Sequence, residues 1–578
     1  MNCSPMMKDH KQWLMMLATL LVGLFLFLSV RAHDPYRWSD WDFGDAQTML
    51  SLRQWQEGGW IHNYLLFKPQ GYAPVIDLLD EPELRQHAHG ISPGSSPRVG
   101  PRLLYTHYPA GYLIPYALLF KLGIDDIFSM RLLSIFFSIS ALALMYALFA
   151  KLTSPKVSLI AVLFYVLSPS FLGYADSLAN QPLDDLFRFA FMLAVVCATR
   201  ASSAKLRRFW FITAWFLEFS LSLSSYDSVF FLYLWLVGWD LIERRGFRWR
   251  IYLVFTLAPV VAHAMQLLQN VWYLGWVDAS QDLLGTFFMK NGSYGGGGRL
   301  ELTAISLLAT LYMLYDPGFI LFWLFGIYVV GHKWLKLASE NGQGLPTVPL
   351  LLVLFLCGLG FIVVLPMAAR MSYEGRQMIP FGSLLVSGCT WLVIDGFCAL
   401  QRAGRGPGFR ALLVVGYKAM AAISMLAFWG WHVNAFHFTR EIQMDLQDIA
   451  LARSLQAQPT AYAPVYFNAG GFTDYYDPGY VTGYPQIRAE TEYYIGSRPI
   501  LCFVRPALLA QDLAVMVRKA GSRFSPVLVT DTVDTMSQVL AALKAEGVLA
   551  ASPGPVGFLN DKTVLDLSAA VSWRNEVR

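Results

Sequence analysis

Long apolar runs recur along most of this chain, with clusters of lysine and arginine at alternate turns between them. That pattern constrains the fold more than any other feature. A helix needs about 20 apolar residues to cross the hydrocarbon core of a bilayer. Runs close to that length lie at Trp13–Val30, Arg131–Ala150, Val157–Leu172, Leu186–Thr199, Phe209–Leu223, Ser228–Ile242, Tyr252–Gln269, Phe319–Val330, Leu350–Met367, Ile379–Leu400 and Ala411–Trp431. They predict about eleven transmembrane helices. The composition agrees: 55% of residues are hydrophobic and 15% charged, against about 25% charged in soluble proteins. A soluble globular chain is excluded, and nothing points to a nucleic-acid partner.

Charge in the short loops orients the spans. Lys151 with Lys156, Arg200 with Lys205, Arg207 and Arg208, Arg244 with Arg245, Arg248 and Arg250, Lys333 with Lys336, and Arg402 with Arg405 and Arg410 all fall on one side. Loops that carry aspartate fall on the other. By the positive-inside rule the N-terminus is cytoplasmic and the aspartate surface extracytoplasmic. Ala110–Lys121 is apolar but has only twelve residues and contains Pro115. Counted as a span it breaks the charge parity, so it is read as a helix lying at the interface. Trp13–Val30 follows Lys8 and Lys11, as a signal peptide would, but no small-residue cleavage site follows it, and it is read as a retained helix. The glycine tract Gly295–Gly298 has no Lys-Ser/Thr after it and is read as part of a long loop following Gln269. The six cysteines show neither metal spacing nor a disulfide framework.

From about residue 439 the composition turns soluble. Helical periodicity at Arg440–Gln458, 507–519 and 534–546 alternates with strand-like runs at 464–468, 499–505 and 526–530. This predicts a small α/β domain on the aspartate side. The expected organisation is a transmembrane domain over 1–436, with 31–130 as its first extracytoplasmic loop, and a soluble domain over 437–578.

Between the first two spans lies Tyr36–Trp60, which holds Asp40, Asp42 and Asp45 at a membrane surface. A short amphipathic helix starts near Asp45, with Met49, Leu52 and Trp55 on its apolar side. Carboxylates at the lip of a membrane domain suggest a functional site. Capping of the helix N-terminus explains Asp42 or Asp45 equally well. A second acidic loop holds Asp176, Asp184 and Asp185, where Asp185 is either a ligand group or a cap for the helix that follows.

Four stretches together resemble the GT-C fold glycosyltransferases that use polyprenyl-phosphate sugars, in the superfamily of the aminoarabinose transferases and protein O-mannosyltransferases. They are GDAQTMLSLRQWQEGG from Gly44, THYPAGYLIPYALLFKLGI from Thr106, LSPSFLGYADSLANQPLDDLFRF from Leu167, and EGRQMIP from Glu374. The likeness covers the layout of roughly residues 13–400. Where the family usually has an Asp-Glu pair this chain has Gly44-Asp45, the double proline reads Pro109-Ala110, and the late arginine lacks its tyrosine.

The resemblance implies transfer of a sugar from a polyprenyl-phosphate donor to a glycan, lipid or protein acceptor on the extracytoplasmic face of a cell (inner) membrane. It matches Asp45 to the base that takes the acceptor proton or to a carboxylate that orients the acceptor, with Asp42 second. Asp184 or Asp185 matches the second carboxylate. Arg376 and Arg370 suit phosphate contact, and snorkelling to lipid headgroups explains them as well. His107 lies in the second motif and is structural or substrate-binding. Two acidic loops facing one cavity could hold a divalent ion through oxygen ligands, although no spacing demands one. A lipid-linked-glycan transporter or flippase is the first alternative, but no internal repeat is visible and the acids sit in loops rather than mid-span. A non-catalytic scaffold is the second, supported by the missing Asp-Glu pair. An en bloc oligosaccharyltransferase is a variant within the enzyme reading.

Overall fold

The computed structural model describes residues 5–33, 44–66, 104, 106, 108–226, 228–291, 299–315, 346–366, 374–402, 450, 452–453, 455–456, 465–468, 500–503, 510, 527–530, 532–547, 549, 557–559 and 562–566. The chain divides into two compact units. The first comprises Met1–Pro35, Gly111–Gln266 and Phe287–Thr439; the second comprises Tyr36–Ala110, Leu267–Thr286 and Arg440–Arg578.

The first unit is helical among its described residues. It contains α1 (Pro5–Ala32), α3 (Ile114–Lys121), α4 (Ile127–Leu152), α5 (Pro155–Val166), α6 (Pro169–Leu172), α7 (Gln181–Arg200), α8 (Ala204–Ser222) and α9 (Ser228–Ile242). Helix α10 (Trp249–Leu274) runs on into the second unit, and α12 (Arg299–Tyr315), α13 (Val348–Val364) and α14 (Ile379–Arg402) complete the first. Local chemistry sets the helix starts. Asp126, Ser154, Ser203 and Thr347 accept hydrogen bonds from the backbone N–H groups of Ser129, Val157, Leu206 and Leu350, and proline follows the cap of α5 and α13, where its missing donor costs nothing. Helix α7 packs along α4 and α8, α9 along α13, and α14 along α5. The shared core includes Leu142, Phe149, Phe189, Trp235 and Trp239. Two glycines permit the α9–α13 approach: a Cβ at Gly238 would run into Val353 and one at Gly360 into Leu234. Small residues at such crossings let helix backbones close up where no water drives association.

Three described helices are long and apolar enough to cross a membrane: Lys11–Ala32 within α1, α4 and α10. Helices α5, α9 and α13 are apolar but shorter. The runs Phe319–Val330 and Ala411–Trp431 lie outside the described residues.

Two expectations need correction. Val157–Leu172 is not one helix, because α5 ends at Val166 and the short α6 begins at Pro169. Proline supplies no donor and drives the residue before it out of the helical region. The long loop after Gln269 instead continues α10 to Leu274 and then holds α11 (Trp276–Lys290) and α12. The expected interfacial helix is a 3₁₀ turn, Gly111–Leu113, followed by the eight residues of α3. Eight residues rise about 12 Å, well short of the hydrocarbon core. Gly111 donates its N–H to Leu223 O at 2.9 Å, an approach that leaves no room for a Cβ.

The second unit contains α2 (Gly44–Gly58), α11 as far as Thr286 and a five-stranded sheet. The strands are β1 (Val465–Asn468), β2 (Ile500–Phe503), β3 (Val527–Thr530), β4 (Gly557–Leu559) and β5 (Lys562–Asp566), in the order β2-β1-β3-β5-β4. β1 pairs in parallel with β2 and β3, while β5 pairs antiparallel with β3 and β4. All four residues of β3 are buried, as a central strand covered on both faces requires. Helix α15 (Val533–Ala545) follows β3 and is capped by Thr532. Most of the expected helices at 440–458 and 507–519 lies outside the described residues.

Candidate functional site

In the second unit, α2 places Asp45 in its first turn. Asp45 is 1% exposed, and Ala46, Met49, Leu52 and Trp55 are buried with it. The far end of α2 is fixed by side chains. Asn63 donates to Gln54 O and Gly59 O at 2.9 and 2.8 Å and accepts from Gln54 Nε2 at 3.0 Å, and Trp55 Nε1 donates to Leu66 O at 2.7 Å. Gly59 takes φ +82°, the left-handed geometry that glycine adopts without strain at a helix end. Asp42 and His107 lie outside the described residues, as does Arg370.

In the first unit, five elements bring charged and polar groups together around Asp185. Pro182 lies in the first turn of α7, which puts Asp184 and Asp185 inside the helix. Capping by Asp185 is therefore ruled out, since the cap position is Asn180, whose amide donates to Asp184 Oδ2 at 2.9 Å. Asp185 Oδ1 accepts from Arg188 at 2.8 Å. Asp185 Oδ2 accepts from the Tyr165 hydroxyl, near the end of α5, and from Arg376. Arg376 sits in the 3₁₀ turn Glu374–Met378 that leads into α14. It also donates to Ser170 O on α6 at 2.7 Å and to the Tyr165 oxygen at 3.1 Å, and its guanidinium lies 5.7 Å from the Tyr174 ring centre. Arg188 donates to Ser228 Oγ at the start of α9 at 3.2 Å and stacks 5.6 Å from Phe231.

Asp185, Arg188, Arg376 and Tyr165 are all buried. Among the described residues, the Asp185 carboxylate faces two guanidinium groups, those of Arg188 and Arg376. The Nε atoms of Arg188 and Arg376 are buried without a hydrogen-bond partner among the described residues. Such a site does not suit a divalent cation, which needs several anionic oxygens. Among the described residues no group of three or more His, Cys, Asp or Glu is placed to hold a metal.

The third aspartate of the acidic loop, Asp176, is taken up by Arg31 at the end of α1. Arg31 Nε donates to Asp176 Oδ2 at 2.9 Å, its NH2 to Oδ1, and its NH1 to Leu172 O at 2.7 Å. Arg131, also buried, donates to Ala32 O at 3.2 Å. The structure thus unites Asp185 with Arg376 and leaves Asp184 beside them on Asn180, while Asp45 belongs to the other unit.

Sequence reasoning missed Arg188, Tyr165 and Arg31. A signal for Arg188 was present, because its spacing of three from Asp185 puts both on one helix face. For Arg31 and Tyr165, whose partners lie 145 and 20 positions away, no local pattern exists.

Neither a protein-family model nor a curated protein matches the sequence. Solved structures do resemble the chain. ArnT from Cupriavidus metallidurans bound to undecaprenyl phosphate matches with a TM-score of 0.58 at 10% identity, over 95% of this chain and 97% of that one. The apo form of the same protein gives 0.56 at 11%, with the same coverage. A looser likeness, TM-score 0.45 at 11% identity, is to the archaeal oligosaccharyltransferase AglB from Archaeoglobus fulgidus in complex with an inhibitory peptide and a dolichol-phosphate, over 97% of this chain and 75% of that one. With nearly the whole length of both chains superposed, this chain has the ArnT fold, which is the GT-C fold that its sequence motifs resemble.

Proposed function

We propose that the chain is an integral-membrane glycosyltransferase that takes a sugar from a polyprenyl-phosphate carrier and transfers it to a lipid, glycan or protein acceptor at the extracytoplasmic face. The observation that carries this reading is the full-length likeness to ArnT, whose structure holds undecaprenyl phosphate. The proposed topology has about eleven spans, a cytoplasmic N-terminus and an extracytoplasmic soluble part over 437–578.

The chemistry follows from the residues. A carboxylate takes the proton of the acceptor nucleophile as its oxygen or nitrogen bonds to the anomeric carbon. The bond from that carbon to the phosphate oxygen breaks, and its electron pair leaves on the carrier phosphate. Asp45 is assigned the proton, with Asp42 as its alternative. The growing negative charge on the phosphate favours a fixed positive field, and that role is assigned to the guanidinium groups of Arg188 and Arg376. The terminal nitrogens of Arg376 are engaged by Ser170, Tyr165 and Asp185. Its assigned role is therefore field and positioning rather than a bidentate fork.

The test is transfer of radiolabelled sugar from polyprenyl-phosphate donors to endogenous acceptors in membranes that contain the overexpressed chain. Label should move into acceptor in proportion to the amount of chain. If no donor in a panel of hexosyl and pentosyl polyprenyl phosphates gives transfer above membranes lacking the chain, the reading is wrong.

A further inference from the structure

Helix α7 has twenty residues and rises about 30 Å. Asp185 lies in its second turn and Arg200 at its last residue, so α7 joins the buried cluster to the opposite end of the first unit. That end is tied together by named bonds. Arg200 donates to Lys151 O at the end of α4 at 2.9 Å and pairs with Glu243 beyond α9 at 3.1 Å. Trp239 Nε1 donates to Thr199 Oγ1 at 2.8 Å. Arg248 pairs with the buried Asp240 and lies 5.5 Å from the Phe211 ring on α8, and Trp215 on α8 donates to Val254 O on α10 at 2.9 Å.

Among the described residues, these bonds engage Glu243 with Arg200 and Asp240 with Arg248. Lys205, Arg207, Arg208, Arg244, Arg245 and Arg250 remain exposed on this rim. None of the six forms an ion pair among the described residues. Directly along the helices from these cations run two apolar stripes. On α8 they are Phe209, Ile212 and Phe216, 55%, 57% and 58% exposed. On α10 they are Trp249, Leu253 and Leu257, 53%, 57% and 54% exposed. Spacings of three and four keep each stripe on one helix face. The Trp215–Val254 bond and the edge contact between Phe211 and Phe255, 6.2 Å apart, form a seam between α8 and α10 beside these stripes. Phe247 and Trp249, both exposed, alternate with Arg248 and Arg250, the mix of aromatic and basic side chains that suits a membrane interface.

We propose that this rim is a binding site for anionic phospholipid: guanidinium groups of Arg207, Arg208 and Arg250 hold the headgroup phosphate, and the acyl chains lie along the stripes of α8 and α10. The combination selects the ligand. Cations alone would take any polyanion, but here they adjoin apolar helix faces that only hydrocarbon satisfies. Arginine suits phosphate through its planar fork, and basic residues beside a span favour anionic over zwitterionic lipid.

The test is native mass spectrometry of the purified full-length chain in detergent, with dioleoyl phosphatidylglycerol or dioleoyl phosphatidylcholine added at equal amounts. Phosphatidylglycerol should be retained at least about fivefold more than phosphatidylcholine. Arg207→Gln/Arg208→Gln/Arg250→Gln should abolish that preference, while the corresponding triple lysine variant, which keeps the charge and loses the planar fork, should keep part of it. Inorganic phosphate at millimolar concentration should not displace the lipid. Equal retention of the two lipids, an unchanged preference in the glutamine variant, or displacement by phosphate alone would each overturn the proposal. If the glutamine variant does not fold, wild type decides in salt, because a headgroup site must lose phosphatidylglycerol preferentially as ionic strength rises.

Discussion

Arg188, Tyr165 and Arg376 converge on Asp185, and that environment fixes what its substitutions should do. A buried carboxylate between two guanidinium groups cannot be neutralised without leaving those charges unpaired. Breaking such a pair costs about 3–5 kcal/mol. Asp185→Asn should therefore lower thermal stability strongly in detergent, whatever the reaction. Tyr165→Phe removes one donor and spares the ion pairs, so it should cost only about 1.5–3 kcal/mol, the range for a hydrogen bond to a charged group. A fluorescence melt that ranks Tyr165→Phe below Asp185→Asn would contradict this account of the cluster. Asp45 makes the contrasting case. Asn keeps its shape and still suits a helix N-terminus, but it cannot take a proton. If Asp45 is the base, Asp45→Asn should fold normally and lose transfer by about 10²–10⁴-fold, as removal of a positioned base does. Near-normal transfer would move the role to Asp42. At this scale the sequence displayed the acids and hid their partners. Asp45 and Asp185 are legible as carboxylates beside membrane segments. That Asp185 meets Arg376 is not, because 191 positions separate them and only tertiary packing joins them.

Among the helices, legibility followed local chemistry. The starts of α4, α5, α8 and α13 carry Asp126, Ser154, Ser203 and Thr347, side chains that cap and can be read directly. Hydropathy placed α9 at Ser228–Ile242. It failed at Ser168-Pro169, where the apolar run continues but the backbone cannot, and at α11 and α12, whose polar residues and neighbouring glycine tract mask their periodicity. The β4–β5 hairpin was missed because three- and five-residue strands are too short to show alternation. Packing between helices adds what no single element shows. Gly238 meets Val353 across the α9–α13 contact, so Gly238→Val should force those helices apart and reduce the folded yield in membranes; full yield with unchanged stability would refute that close approach. Glu218 on α8 is fully buried, and neither carboxylate oxygen has a hydrogen-bond partner among the described residues. Replacing an unpartnered buried polar group by an apolar one of similar shape is neutral or stabilising. Glu218→Met should leave the melting midpoint unchanged or raise it, and a marked fall would mean that the carboxyl group makes a contact essential to the fold.

For the whole molecule, the layout of apolar runs and basic loops carries most of the information. A membrane accepts helices of fixed length whatever their sequence, which is how the fold stays recognisable in ArnT at 10% identity. The same physics makes orientation testable. The first unit has two chemically different ends. At one, Asp176 and Asp185 are buried and paired with Arg31, Arg188 and Arg376. At the other, arginines and lysines stand exposed around Gly246, a loop glycine at φ +69°. Buried, paired arginines contribute little to the orientation of a span, whereas exposed ones in short loops set it. The exposed end should therefore face the cytoplasm. A reporter inserted at Gly246, where no Cβ would meet a neighbour within 4 Å, should behave as cytoplasmic, and one fused after Arg578 as extracytoplasmic. Reversal of both would put the acidic loops on the cytoplasmic side, where transfer to an extracytoplasmic acceptor cannot occur, and the proposed reaction would fall with the topology. If both reporters were cytoplasmic, the number of spans after residue 246 would change parity and the error would lie in that count; if both were extracytoplasmic, the orientation of the Asp185 cluster would be wrong as well.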